Sequence, residues 1–304
     1  MLKVIAPSFL KNPQLVNELL SLFPDAVLYT GAEWDTEALR LFCADAEALI
    51  VGREKIDEAF LQNCPALRIV AKYGVGIDNI DQQALHTYNV QLGWTGGVNK
   101  RSVAELTIGF LLGAAHNTFF TGNRLKKDIW YKDGGVCVQE RRLGIIGLGH
   151  IGSEVAELLQ PFGMEIWAND ILDKTAEAAR LKIRLCEKEE IYRNCDFISL
   201  HVPYTPETRH MIDGSVLEQM LPHAFVLNCA RGELVDHEAM IRALEQERIG
   251  GYFADAFDPE PYTDSRLTGL DNFFGTPHIG GNSREAVLNM GRSAIEHIRR
   301  FYVY

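Results

Sequence analysis

Positive charge, cysteine chemistry and long apolar runs are all in short supply in this chain of 304 residues. Lys and Arg number 30 against 41 Asp and Glu, a formal net charge of −11. Such a charge repels polyphosphate backbones, so a nucleic-acid partner is not expected. The 6 cysteines, at positions 43, 64, 137, 186, 195 and 229, are scattered without a C-x-x-C pair or a His/Cys cluster. That spacing offers no metal site and suits a reducing compartment, so the expected location is the cytoplasm. No uncharged apolar run approaches the about 18 residues that a membrane helix needs. The most apolar stretch, Leu106 to Ala115, reads as a buried helix, and no membrane partner is expected. The first residues lack the apolar length and cleavage site of a signal peptide, and Glu33, Asp35 and Glu37 follow closely.

What is present is an ordinary globular composition, 47% hydrophobic and 23% charged, in a length suited to two domains. Short apolar strands alternate with helical periodicity: Leu2 to Ala6, Ala26 to Tyr29, Ala48 to Val51 and Leu67 to Ala71 in the first part. The last of these enters the turn Tyr73-Gly74-Val75-Gly76. The pattern restarts at Arg142 to Ile146, with further strands at Glu165 to Asp170, Phe197 to Leu200, Ala224 to Asn228, Gly251 to Ala254 and Phe273 to Thr276. The predicted class is α/β, with two doubly wound, parallel-sheet, Rossmann-like domains. The helices Ser102 to His116 and Ser283 to Phe301 read as crossings between them. The predicted division is residues 1–100 plus 282–304 for a discontinuous, flavodoxin-like substrate domain and 101–281 for a cofactor domain.

A G-x-G-x-x-G sequence is a weak signal alone, but Gly147-Leu148-Gly149-His150-Ile151-Gly152 follows a strand and opens a helix. Gly147 permits the tight turn, Gly149 the approach of a pyrophosphate, and Gly152 the packing of helix on strand. The anion would rest on unpaired N–H groups at the helix N-terminus. Asp170 lies about 20 residues beyond Gly149, where a carboxylate holds the adenosine ribose and repels a 2′-phosphate. NAD is therefore the expected cofactor.

Reducing a 2-keto acid requires a cation for its carboxylate and keto oxygen, and an acid for the new alkoxide. Arg231, in Asn228-Cys229-Ala230-Arg231-Gly232, has the planar fork for the first task. His278, in Thr276-Pro277-His278-Ile279-Gly280-Gly281, titrates near neutrality and suits the second. Glu260 in Asp255-Ala256-Phe257-Asp258-Pro259-Glu260-Pro261 would fix its tautomer, and spacing alone leaves Asp258 as a rival.

These motifs, with Gly74 to Asp81, Ser102 to Glu105, Leu200 to Pro203 and Thr205 to Thr208, resemble the D-isomer-specific 2-hydroxyacid dehydrogenase family through almost the whole chain. Within that family the resemblance is strongest to D-3-phosphoglycerate dehydrogenases. It implies that Arg231 holds the substrate, that His278 is the acid/base and that Glu260, rather than Asp258, is its partner. It implies cofactor contacts from Gly147, Gly149, His150, Ile151, Gly152, Asp170, His201, Val202, Pro203, Thr208, Cys229, Ala230, Arg231, Asp255, His278, Gly280 and Gly281. Asp255 would meet the nicotinamide amide. Substrate contacts are implied for Arg53, Lys72, Val75, Gly76, Asn99 and Arg231, with the Val75 and Gly76 backbone taking the carboxylate. A homodimer joined largely through Ser102 to Gly135 is also implied. A formate dehydrogenase is disfavoured, because its histidine pairs with Gln.

The expected reaction is reversible hydride transfer between NAD and C2 of a small anionic 2-hydroxy or 2-keto acid. 3-Phosphoglycerate is the leading substrate and hydroxypyruvate or glyoxylate the alternative. Arg53, Lys72, Lys100 and Arg101 are candidates for a local anion site. Two features depart from the resemblance: the sequence stops at Tyr304 without a regulatory extension, and Trp94-Thr95-Gly96-Gly97-Val98-Asn99-Lys100-Arg101 replaces a commoner Thr-Pro-x-x-Asn pattern. A different class, an NAD(H)-sensing binding protein like the C-terminal-binding-protein corepressors, shares the same fold and residues.

Overall fold

The computed structural model describes residues 1–31 and 36–303, so Glu33, Asp35 and Tyr304 lie outside the described residues. The chain divides into two compact units, Met1–Asn99 with Arg284–Tyr304, and Lys100–Ser283.

The first unit holds five strands: β1 (Leu2–Val4), β2 (Val27–Leu28), β3 (Ala48–Val51), β4 (Ile69–Lys72) and β5 (Gln91–Gly93). They pair in parallel in the order β2-β1-β3-β4-β5, a flavodoxin-like arrangement. The β-branched runs of β3 and β4 are buried at every position, as central parallel strands covered on both faces must be. One face packs on Leu15 and Leu19, and on Met290, Ala294, Ile295 and Ile298 of the helix Arg284–Val303. The C-terminal helix therefore completes the core of the N-terminal unit.

The second unit holds seven strands: β6 (Arg142–Ile146), β7 (Glu165–Asn169), β8 (Arg184–Leu185), β9 (Phe197–Leu200), β10 (Phe225–Asn228), β11 (Gly251–Ala254) and β12 (Phe273–Gly275). Their order, β12-β11-β10-β9-β6-β7-β8, reverses direction between β6 and β9. Ligands bind such sheets beyond the carboxyl ends of the strands that flank the reversal. The helix Lys100–Ala115 buries Val103, Ala104, Phe110 and Leu111 against Leu143, Ile145, Leu227 and Phe253.

Two strands, β5 and β8, lie outside the predicted set. Each has three residues or fewer, too short for alternation to register. Short helices at Glu58–Gln62, Gln82–Thr87, Gly214–Gln219 and His237–Glu245 also lie outside it. Each starts behind an aspartate, at Asp57, Asp81, Asp213 and Asp236, whose side chain accepts a backbone N–H three residues on.

Candidate active site

The glycine loop sits between the end of β6 and the helix His150–Leu159. Gly147 has φ of 98°, and a Cβ there would lie 2.6 Å from the His201 carbonyl oxygen at the end of β9. Only glycine fits. A Cβ on Gly152 would meet the Gly147 oxygen at 2.1 Å, so helix and strand pack as closely as the spacing predicts. At Gly149, by contrast, a Cβ would find nothing within 4 Å. Gly149 is also the helix N-cap and offers no capping side chain, and no hydrogen bond among the described residues engages the N–H groups of His150 and Ile151. An open glycine at an uncapped helix start fits a pyrophosphate.

Asp170 Oδ2 accepts the Leu148 N–H at 2.8 Å and Oδ1 the Leu172 N–H at 2.9 Å, so the carboxylate also ties the end of β7 to the loop. His201 Nε2 lies 2.8 Å from Ser199 Oγ, while its buried Nδ1 has no partner among the described residues. Burial lowers its pKa to about 4, so the ring is neutral at pH 7. An orphaned nitrogen beside the loop is consistent with a ligand contact there. Thr208, assigned to the cofactor by resemblance, folds its own turn: Oγ1 accepts from the Thr205 N–H at 2.8 Å and donates to the Pro203 carbonyl at 2.9 Å.

The ends of β10, β11 and β12, neighbours in the sheet, carry Arg231, Glu260 and His278 respectively. His278 Nδ1 lies 2.8 Å from Glu260 Oε1, which also accepts the Phe257 N–H at 3.2 Å. The pair selects Glu260 over Asp258 on geometry. With Nδ1 engaged, Nε2 is the nitrogen left to exchange a proton. Residue 278 sits at φ of 55°, an uncommon conformation for a non-glycine residue. A Cβ on Gly232 would come within 2.0 Å of the Phe257 carbonyl carbon, so glycine lets the Arg231 turn lie directly on the loop bearing Glu260.

Two buried residues brace this end. Asp255, 2% exposed, receives Thr276 Oγ1 at 2.6 Å and the N–H groups of Ile279 and Gly280 at 2.7 Å each. Both its oxygens therefore hold the His278 loop, a different task from the nicotinamide contact that the resemblance implies. Asn228, fully buried and not singled out in the sequence, donates to the Arg231 carbonyl at 2.8 Å and accepts the Ala230 N–H at 3.1 Å. Its position at the end of an apolar strand, where a polar residue needs a partner, was the available signal. Ser102 Oγ donates to the Gly280 carbonyl at 2.5 Å, which accounts for that serine in the sequence motif.

The first unit supplies a second glycine turn. No hydrogen bond among the described residues engages the N–H groups of Gly74, Val75, Gly76 and Ile77, and Gly74 has φ of 128°. Lys72, a candidate substrate cation, is 6% exposed; its ammonium donates to the Gly52 carbonyl and to Asn79 Oδ1, the latter at 2.7 Å. It braces the strand ends. Arg53 is exposed, and the buried Oδ1 of Asn99 has no partner among the described residues. Lys100 and Arg101 are paired within the second unit, to the two oxygens of the buried Glu154 at 2.8 and 2.9 Å.

Comparison with known proteins bears on the family and the fold. Residues 108–280 match the family model of the D-isomer-specific 2-hydroxyacid dehydrogenase NAD-binding domain. A D-3-phosphoglycerate dehydrogenase of Methanocaldococcus jannaschii is 35% identical over 84% of this chain and 50% of its own length. This chain thus spans about half the length of that relative. A hydroxypyruvate reductase of Thermotoga maritima is 32% identical over 88% of this chain and 89% of that protein. A D-lactate dehydrogenase of Aquifex aeolicus, solved with NAD and lactic acid, is similar in structure, with a TM-score of 0.87, 25% identity and coverage of 99% and 95%.

Proposed function

The chain belongs to the D-isomer-specific 2-hydroxyacid dehydrogenase family, and from that premise we propose that it interconverts a small 2-hydroxy acid and its 2-keto acid with NAD. The observation that carries this reading is the 2.8 Å pair of His278 and Glu260, beyond the ends of β12 and β11, with Arg231 beyond the end of β10 on the other side of β11. Bound nicotinamide supplies the hydride to C2, or removes it in the reverse direction. Arg231 holds the substrate carboxylate and polarises the keto oxygen. His278 donates a proton from Nε2 to the forming alkoxide, and Glu260 orients the ring through Nδ1. The open N–H groups at Gly149 to Ile151 hold the pyrophosphate, and Asp170 the adenosine ribose. In the first unit, residues 1–99 and 284 onward, the open N–H groups of Val75 and Gly76 suit a carboxylate.

A short acid of hydroxypyruvate or glyoxylate size is the favoured substrate. Two of the cations considered for a phosphate, Lys100 and Arg101, are held by Glu154. Phosphohydroxypyruvate is the second reading, favoured by the 35% identity to the M. jannaschii enzyme and by the exposed Arg53. Purified protein should oxidise NADH with hydroxypyruvate or glyoxylate at millimolar concentration. If neither they nor pyruvate nor phosphohydroxypyruvate turns over, the dehydrogenase reading is lost and NAD(H) sensing takes its place.

The same reading includes a homodimer and a cytoplasmic location. Leu125, Ile129, Trp130, Tyr131 and Val136 form an exposed apolar stretch, with Trp130 79% exposed, and such stretches mark protein contacts. Sedimentation at micromolar concentration tests this, and a monomer would refute it.

A further inference from the structure

We propose that Trp94 is a positioning residue for the substrate carboxylate, aiming the backbone N–H of Gly76; this rests on the reading that the Val75–Gly76 turn binds that carboxylate. Trp94 follows the end of β5, and its indole Nε1–H donates to the Val75 carbonyl at 2.9 Å. In a trans peptide the carbonyl of one residue and the N–H of the next point in opposite directions. Drawing the Val75 carbonyl toward the indole therefore turns the Gly76 N–H away from it. No other hydrogen bond among the described residues fixes that peptide plane.

The segment that carries the indole is itself braced. Thr95 Oγ1 lies 2.9 Å from His297 Nε2 on the helix Arg284–Val303. A Cβ on Gly93 would lie 2.7 Å from His297 Cβ, so the strand end approaches the helix at close range. The brace runs from the C-terminal helix through residues 94–95 to the turn. Trp94 belongs to the segment that departs from the commoner Thr-Pro-x-x-Asn pattern.

The test compares wild type, Trp94→Phe, which keeps a ring but loses the donor, and Trp94→Gln, which restores an N–H at similar reach. Steady-state kinetics with hydroxypyruvate and NADH should show KM raised about 3- to 10-fold in Trp94→Phe, the range for one hydrogen bond. The kcat should change less than about twofold, and the NADH Kd and Tm should hold. Trp94→Gln should recover part of the loss. Calorimetric titration with oxalate in the presence of NADH provides a readout without turnover and should show the same weakening. An unchanged KM and oxalate Kd in Trp94→Phe would overturn the proposal, as would a rise in KM matched by falls in NADH affinity and Tm. If the wild type turns over no 2-keto acid but binds oxalate more tightly than Trp94→Phe, the catalytic reading fails and this one stands.

Discussion

The two glycine turns of this molecule begin alike and end differently. Each follows a buried parallel strand, β4 before Tyr73-Gly74-Val75-Gly76 and β6 before Gly147-Leu148-Gly149, and each has a glycine at positive φ. After β6 the chain winds at once into the ten-residue helix His150–Leu159, so the exposed N–H groups carry the added weight of the helix dipole. After β4 no helix follows directly, and the next, Gln82–Thr87, is capped by Asp81. The open amides of the first turn therefore act locally, at the scale of a carboxylate, whereas those of the second suit a pyrophosphate. A helix directly after the glycine turn favours the larger and more highly charged anion.

Five variants would break or sharpen that contrast. His278→Ala should lower kcat by about a thousandfold, the usual contribution of a positioned acid, while both turns keep their ligands. An unaltered NADH Kd from fluorescence titration checks the second half. Gly149→Val should weaken NADH binding by tenfold or more without loss of Tm, because the new side chain meets ligand rather than protein. The matching change in the other turn, Gly74→Ala, forces φ of 128° on a side chain at a cost of about 1–3 kcal/mol. It should raise KM for the keto acid and spare NADH; equal effects of both variants on NADH would erase the distinction.

His201 gives a pH signature to the second turn alone. Its imidazole titrates at the ordinary 6.5 when unfolded and at about 4 in the fold. Between those values the unfolded chain binds the extra proton, so stability falls as pH drops from 6.5 toward 4 and is unaffected above 6.5. The loss amounts to at most about 3 kcal/mol, and His201→Gln should flatten that part of a Tm-against-pH curve. The smallest effect belongs to Lys100→Ala, about 1 kcal/mol in stability because Arg101 still pairs with Glu154. Its KM for phosphohydroxypyruvate should match wild type. A large rise would return Lys100 to the substrate site.

Much of the site could be read before folding because its chemistry is local. The spacing of Gly147, Gly149 and Gly152 is set by one turn and one helix start, and the short apolar strands announced a parallel sheet. The fates of the cations were not legible. Lys72, Lys100 and Arg101 are alike in sequence, yet the first is buried against Gly52 and Asn79 and the others clasp Glu154. Asp255 likewise has three donors that lie more than twenty residues away in sequence. Partners that far apart leave no periodic trace.

By itself the sequence determined the α/β class, the glycine loop and the candidacy of Arg231 and His278, because strand length, glycine spacing and side-chain chemistry are properties of short segments. The tertiary structure decided which carboxylate meets His278, which cations remain for an anion, and that Trp94 holds the Val75 carbonyl. Those outcomes depend on the order of strands in a sheet and on a C-terminal helix returning to an N-terminal core. Such contacts exist only once the chain has closed on itself.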